Sequence, residues 1–156
     1  MRQKATNKIV FFIFILICFS SCNSGKKVSG RIVDVWEDYD VVVNEQLGMM
    51  IHVKFSVKRM RNKQGSCNIW FYHDDRTPLA DVNEKYCTYD DKVATWDTFI
   101  PSYKKSIFHN YRLFIPYDEF HLRPGFYNLT FRIGLFNNYR ILFANSEFCD
   151  FDFTQI

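Results

Sequence analysis

The chain has 156 residues and a formal net charge of +3. The surplus is Arg2, Lys4 and Lys8, so residues 22–156 carry 17 basic and 17 acidic side chains and no net charge. That balance argues against a general nucleic-acid binder, which needs a basic surplus, and the 135 residues from Cys22 onward give room for one domain with its own core.

The basic start leads into an unbroken apolar run, Ile9 to Phe19, followed by Ser20, Ser21 and Cys22. The run is 11 residues long, short of the roughly 20 that a membrane-spanning helix needs. It has the layout of a secretory leader. A cysteine straight after two small residues is the pattern of a bacterial lipoprotein signal, cleaved ahead of Cys22, which is then acylated. Phe19 stands where such leaders usually carry Leu. The alternative is an ordinary leader cut at Ser20 and Ser21. The expected division is a signal peptide over 1–21, a flexible tether over 22–30 and a folded domain over 31–156. The stretch Asn23 to Gly30 has two Ser, two Gly and no aromatic, a composition that stays solvated and flexible.

Almost every later segment reads as strand. Arg31 to Glu37 and Val41 to Val43 are two short β-rich pieces. Met49 to Val57 alternates, with Met49, Ile51, Val53, Phe55 and Val57 on one face and Met50, His52, Lys54 and Ser56 on the other, as in an antiparallel strand with one wet face. Cys67 to His73 sets Ile69 and Phe71 against Trp70 and Tyr72; two bulky faces predict a central strand. Asp74 to Asp91 lacks alternation and reads as a long connection. Val93 to Ile100 and Tyr111 to Ile115 are β-like, the second stopped by Pro116. A single helical turn fits Asp118 to His121. Tyr127 to Leu135 alternates again, Asn137-Asn138 marks a turn, and Tyr139 to Phe143 and Glu147 to Phe153 close the chain.

Such a run of strands with turns between them predicts an all-β fold, an antiparallel β-sandwich of about 7–9 strands. Leu122 to Leu129 resembles the crossover into the F strand of immunoglobulin-like domains, where a corner tyrosine, here Tyr127, bonds back to backbone. In that comparison Trp70 falls on the strand that often buries a Trp in the core. No Cys lies in Met49–Val57 or Tyr127–Leu135, so the antibody-type inter-sheet disulfide is absent.

A second resemblance rests on Phe71-Tyr72, Thr77-Pro78-Leu79, Tyr86 with Thr88, Phe114 to Glu119, His121-Leu122 and Gly125. With these residues the segment from Met49 to Phe136 resembles a family of small uncharacterised bacterial exported lipoproteins with an immunoglobulin-like domain. The resemblance implies a β-sandwich and carries no chemistry onto any residue.

Candidate sites are few. Asp74, Asp75, Asp90 and Asp91 could supply oxygens to calcium, which takes six to eight, if their loops converge; otherwise the pairs solvate turns. No metal or other cofactor is expected. Asp118 and Glu119 are adjacent and point apart, so they do not form an acid–base pair. GxSxG, HExxH and phosphate-loop motifs do not occur. Cys67, Cys87 and Cys149 show no CxxC or zinc spacing; an exported compartment allows one disulfide and a spare thiol, or free buried thiols. The basic clusters Lys54, Lys58, Arg59, Arg61 and Lys63, and Lys104-Lys105, read as solvated faces. The remaining lead is aromatic: Trp36, Trp70, Tyr72 and Trp96, with Tyr103 and Tyr111, as a platform for a protein or glycan. The expectation is a non-catalytic binding or assembly module, held to a bacterial envelope membrane through its lipid, first of all the outer membrane. A structural subunit and an envelope hydrolase are the alternatives.

Overall fold

The computed structural model describes residues 27–156; the leader and Cys22 lie outside the described residues. The elements are β1 (Ser29–Val43), β2 (Gln46–Lys58), β3 (Gly65–His73), β4 (Ala94–Phe99), β5 (Lys105–Pro116), a 3-10 turn (Tyr117–Phe120), β6 (Gly125–Phe136), β7 (Leu142–Asn145) and β8 (Cys149–Gln155). All pairings between them are antiparallel. One sheet runs β1-β2-β5 and the other β4-β3-β6, with β7 and β8 sharing the far edge of β6. The two antiparallel sheets make a β-sandwich. Bonds between side chain and backbone join the sheets at one rim: Thr95 Oγ1 donates to the Phe114 carbonyl at 2.9 Å and the Tyr111 hydroxyl to that of Thr98 at 2.8 Å.

The alternation fixes the faces. Met49, Ile51, Val53, Phe55 and Val57 of β2 meet Ile69 and Phe71 of β3 and Leu129, Phe131, Ile133 and Leu135 of β6 in one continuous core. Phe120 of the 3-10 turn and Phe151 and Phe153 of β8 close it at one end. At the other, Phe55 packs against Phe99, Phe108 and Tyr111 with centroids 5.0, 4.6 and 5.5 Å away.

Three expectations change. Asp38-Tyr39-Asp40 does not separate two short strands; it is a bulge within one 15-residue strand, with Asp40 at φ 55°. Ser29 and Gly30, assigned to the tether, are already paired rungs of β1. Strand β5 starts six residues before Tyr111, because a bulge between its pairings with Val53 and Phe55 turns both Phe108 and Tyr111 inward and breaks the alternation. Trp70 is a fourth correction: it lies on the outer face of the five-stranded sheet, not in the core. Gly134 makes room for it there, since a Cβ on that residue would sit 2.8 Å from the indole.

Tyr127 is the corner residue. Its hydroxyl donates to the Arg123 carbonyl at 2.9 Å. The ring is half-buried against the rim of the core, less than the corner reading expected. Tyr127→Phe should therefore cost only about 0.5–1.5 kcal/mol, read as a lower urea midpoint at unchanged slope. An unmoved midpoint would mean the bond contributes nothing to the corner.

Candidate functional site

The outer face of the five-stranded sheet carries a groove of about 540 Å³. Its floor follows from register: Asn68 of β3 pairs with Trp96 of β4, and Ser66 with Thr98 and with Phe136 of β6. Residues at even positions of β3 face away from the core, so these side chains share one surface. One wall is Cys87, Thr88 and Tyr89 from the long connection; the other is Asn137, Asn138 and Arg140 from the β6–β7 turn. Both walls are braced. Asn137 Oδ1 accepts the amides of Tyr139 at 2.9 Å and Ile141 at 3.0 Å. Asp90 accepts from the Thr88 hydroxyl and the Lys92 ammonium, and the Thr88 amide donates to the Lys92 carbonyl at 2.9 Å.

The groove offers aromatic surface and neutral polar groups. Trp96 is 58% exposed, and Tyr89 stands fully in solvent. Asn68 Oδ1 is buried and has no hydrogen-bond partner, although a buried acceptor left unpaired costs free energy. Arg140 is the only charged side chain of the lining, which holds no carboxylate and no imidazole. The thiol of Cys87 is pushed up by partial burial and then by the carboxylates of Asp81, Asp91 and Glu84, so it is a poor nucleophile at neutral pH. This set can stack and hydrogen-bond; it lacks the residues for general acid–base work.

Of the four aromatics singled out from the sequence, Trp96 alone lines the groove. Trp70 stands behind it, edge-on to Phe136 at 5.8 Å. Tyr72 lies further along β3, edge-on to Phe148 at 5.2 Å, and the guanidiniums of Arg76 and Arg132 cover that ring at 4.4 and 5.3 Å. Trp36 is on the other sheet, stacked on His52 at 5.0 Å. Tyr103 is exposed in a loop, and Tyr111 is turned toward the core.

The four aspartates do not gather as a calcium site. Asp75 accepts from the amide and hydroxyl of Thr77, which hold its carboxyl below the usual range, and Asp90 is held low in the same way by Lys92 and Thr88. They shape turns. The ligand-like cluster that does form went unnoticed in the sequence: one donor atom each from Asp81, Glu119 and His121 lies within 4.8 Å of the others. His121 Nε2 is 3.4 Å from Asp81 Oδ1 and 3.7 Å from Glu119 Oε2. Asn83 Nδ2 donates to Glu119 at 2.8 Å, and Asp81 Oδ2 accepts the amides of Asn83 and Glu84. These bonds pin the long connection to the 3-10 turn. Glu119 is buried and Asp118 exposed, so the two diverge as expected. No short-range signal could reveal the cluster, because its members come from segments almost 40 residues apart.

Cys67, Cys87 and Cys149 are free thiols. Burial pushes Cys67 well above the ordinary thiol range and Cys149 up to about 11. No helix among the described residues is long and apolar enough to cross a membrane. Comparison with protein-family models, curated proteins and solved structures finds no match to this chain.

Proposed function

We propose that the protein is a lipid-anchored, non-catalytic recognition module of the bacterial cell envelope, tethered through Cys22, with its ligand seated in the groove over Trp96. One observation carries the reading: an exposed indole on the floor of a walled groove whose lining is polar and holds one charge. Aromatic faces stack on the apolar faces of sugars and side chains, and the hydroxyl and amide side chains of the lining can hydrogen-bond a ligand rich in such groups. The lining, neutral except for Arg140, favours a hydroxyl-rich ligand, a glycan segment before a protein loop. The leader pattern and the resemblance to exported lipoproteins support the envelope setting.

The test is pull-down and affinity electrophoresis with peptidoglycan sacculi and neutral polysaccharides. Binding by the parent is expected, with Trp96→Ala weakening it roughly 30-fold, about 2 kcal/mol as for a central aromatic contact. Trp36→Ala, on the other sheet, should leave it unchanged. Absence of binding to every probe, or binding indifferent to Trp96, would sink the groove and favour a purely structural subunit.

A further inference from the structure

The second face of the sandwich is basic where the chain enters it. A cleft of about 430 Å³ lies on the outer side of β1-β2-β5, lined by Arg31, Lys54, Lys58, Lys105 and His109 around Val33 and Ile107. Cross-strand register builds it. Lys58 pairs with Lys105 on one side and Ser29 on the other, and the next rung on the same face, two residues along, is Arg31, Ser56 and Ile107. In the sequence these residues fall in separate segments, each readable as a solvated face.

Three features mark the surface as built for an anionic partner. Like charges directly opposite on neighbouring strands repel, and Lys58 and Lys105 are so placed. Among the described residues none of Arg31, Lys54, Lys58 and Lys105 has a carboxylate oxygen within 4.0 Å. No acidic residue lines the cleft; Asp34, in register with Lys54, instead accepts the Val35 amide at 3.0 Å. Exposed apolar side chains also sit among the charges, Val33 at 42% and Ile107 at 49% exposure, in the mixed basic and apolar pattern of membrane-surface segments. Residues 22–156 balance to zero charge overall only with this patch included, so the patch is a local asymmetry.

The occupant follows from where the chain leads. Ser29 lines the cleft, and Arg59 holds the Lys27 carbonyl at 3.0 Å beside it. Only six residues lie between Cys22 and Ser29, and the seven steps span at most about 25 Å when fully extended. We propose that this cleft docks on anionic phospholipid headgroups of the bilayer that holds the lipidated Cys22. Docking lays β1-β2-β5 against the membrane and turns the Trp96 groove, on the opposite sheet, outward. The proposal rests on the lipid-anchor part of the functional reading and is independent of what the groove binds.

The test uses the full-length protein isolated from membranes and reconstituted in two kinds of vesicle, phosphatidylcholine alone and phosphatidylcholine mixed with phosphatidylglycerol. A water-soluble amine reagent reads each lysine by mass spectrometry. With phosphatidylglycerol, Lys54, Lys58 and Lys105 should lose their labelling while Lys85, in the long connection, keeps it. The protection should vanish in about 1 M NaCl, where screening reaches only roughly 3 Å, and in Lys58→Glu/Lys105→Glu at the remaining Lys54. Equal labelling in both vesicles overturns the proposal. The intact mass of the same protein reports acylation separately. If Cys22 carries no lipid, the anchor reading fails; co-sedimentation of that protein with the two vesicles then decides the cleft, with salt-sensitive binding lost in the double variant upholding it and indifference to phosphatidylglycerol overturning it.

Discussion

Cutting Phe71 back to Ala should remove about 3–5 kcal/mol of stability, a large part of the 5–15 kcal/mol that holds a typical domain. Phe71 is completely buried and touches three elements at once: the rings of Phe120, Phe131 and Phe151 stand 5.1, 6.2 and 6.3 Å from its centroid. Its backbone also holds the long connection, accepting the Leu79 amide at 2.9 Å and donating to the Val93 carbonyl at 3.2 Å. The cavity left by the ring would lie between both sheets and the 3-10 turn, where strands paired on both sides have little freedom to collapse. Phe126→Ala is the comparison, since Phe126 is 65% exposed and should change stability by no more than about 0.5 kcal/mol. Urea unfolding of both variants checks this. Similar losses for the two would mean that the core is not centred on β3.

Replacing Cys22 by Ala should abolish the acylated, membrane-bound form of the protein. Each buried CH₂ of an acyl chain contributes about 0.8 kcal/mol, and more than one chain is needed for stable attachment, so the effect is all or nothing. Cell fractionation and intact-mass measurement give the answer: the parent should carry acyl chains and start at Cys22, and the variant should lack both features. A variant that is still processed and membrane-bound like the parent ends the lipoprotein reading and leaves an ordinary leader cut at Ser20-Ser21. The outcome does not touch the sandwich, whose described residues begin at Lys27.

The strands that could be read from the sequence are those with unbroken alternation. In β2, β3 and β6 each side chain points opposite to its neighbour, and one face of each is apolar throughout, so the inward set is a local property of the chain. The corner at Tyr127 was legible for the same reason, because its bond reaches back only four residues. Bulges hid the rest. The first half of β5 and the middle of β1 lost their period where an extra residue shifts the phase, and nothing local announces which residues will face inward after such a shift. The core position for Trp70 came from the comparison with immunoglobulin-like domains, whereas the parity of β3 had already assigned the core to Ile69 and Phe71. Gly134 on β6 is what lets the indole lie flat on the outer face.

By itself, then, the sequence determined that the chain is all-β, which faces of β2, β3 and β6 are buried, and that its start has the form of a lipoprotein leader. All of these are carried by neighbours in the chain. Only tertiary structure decided what meets what. Asn68, Tyr89, Trp96 and Arg140 share a groove, and Asp81, Glu119 and His121 a cluster, while Asp74, Asp75, Asp90 and Asp91 stay apart. Lys58 meets Lys105 because β2 and β5 pair in one register and no other. Register depends on the summed fit of whole strands across a sheet, and loop placement on where those strands end. Neither is visible in residues read one segment at a time.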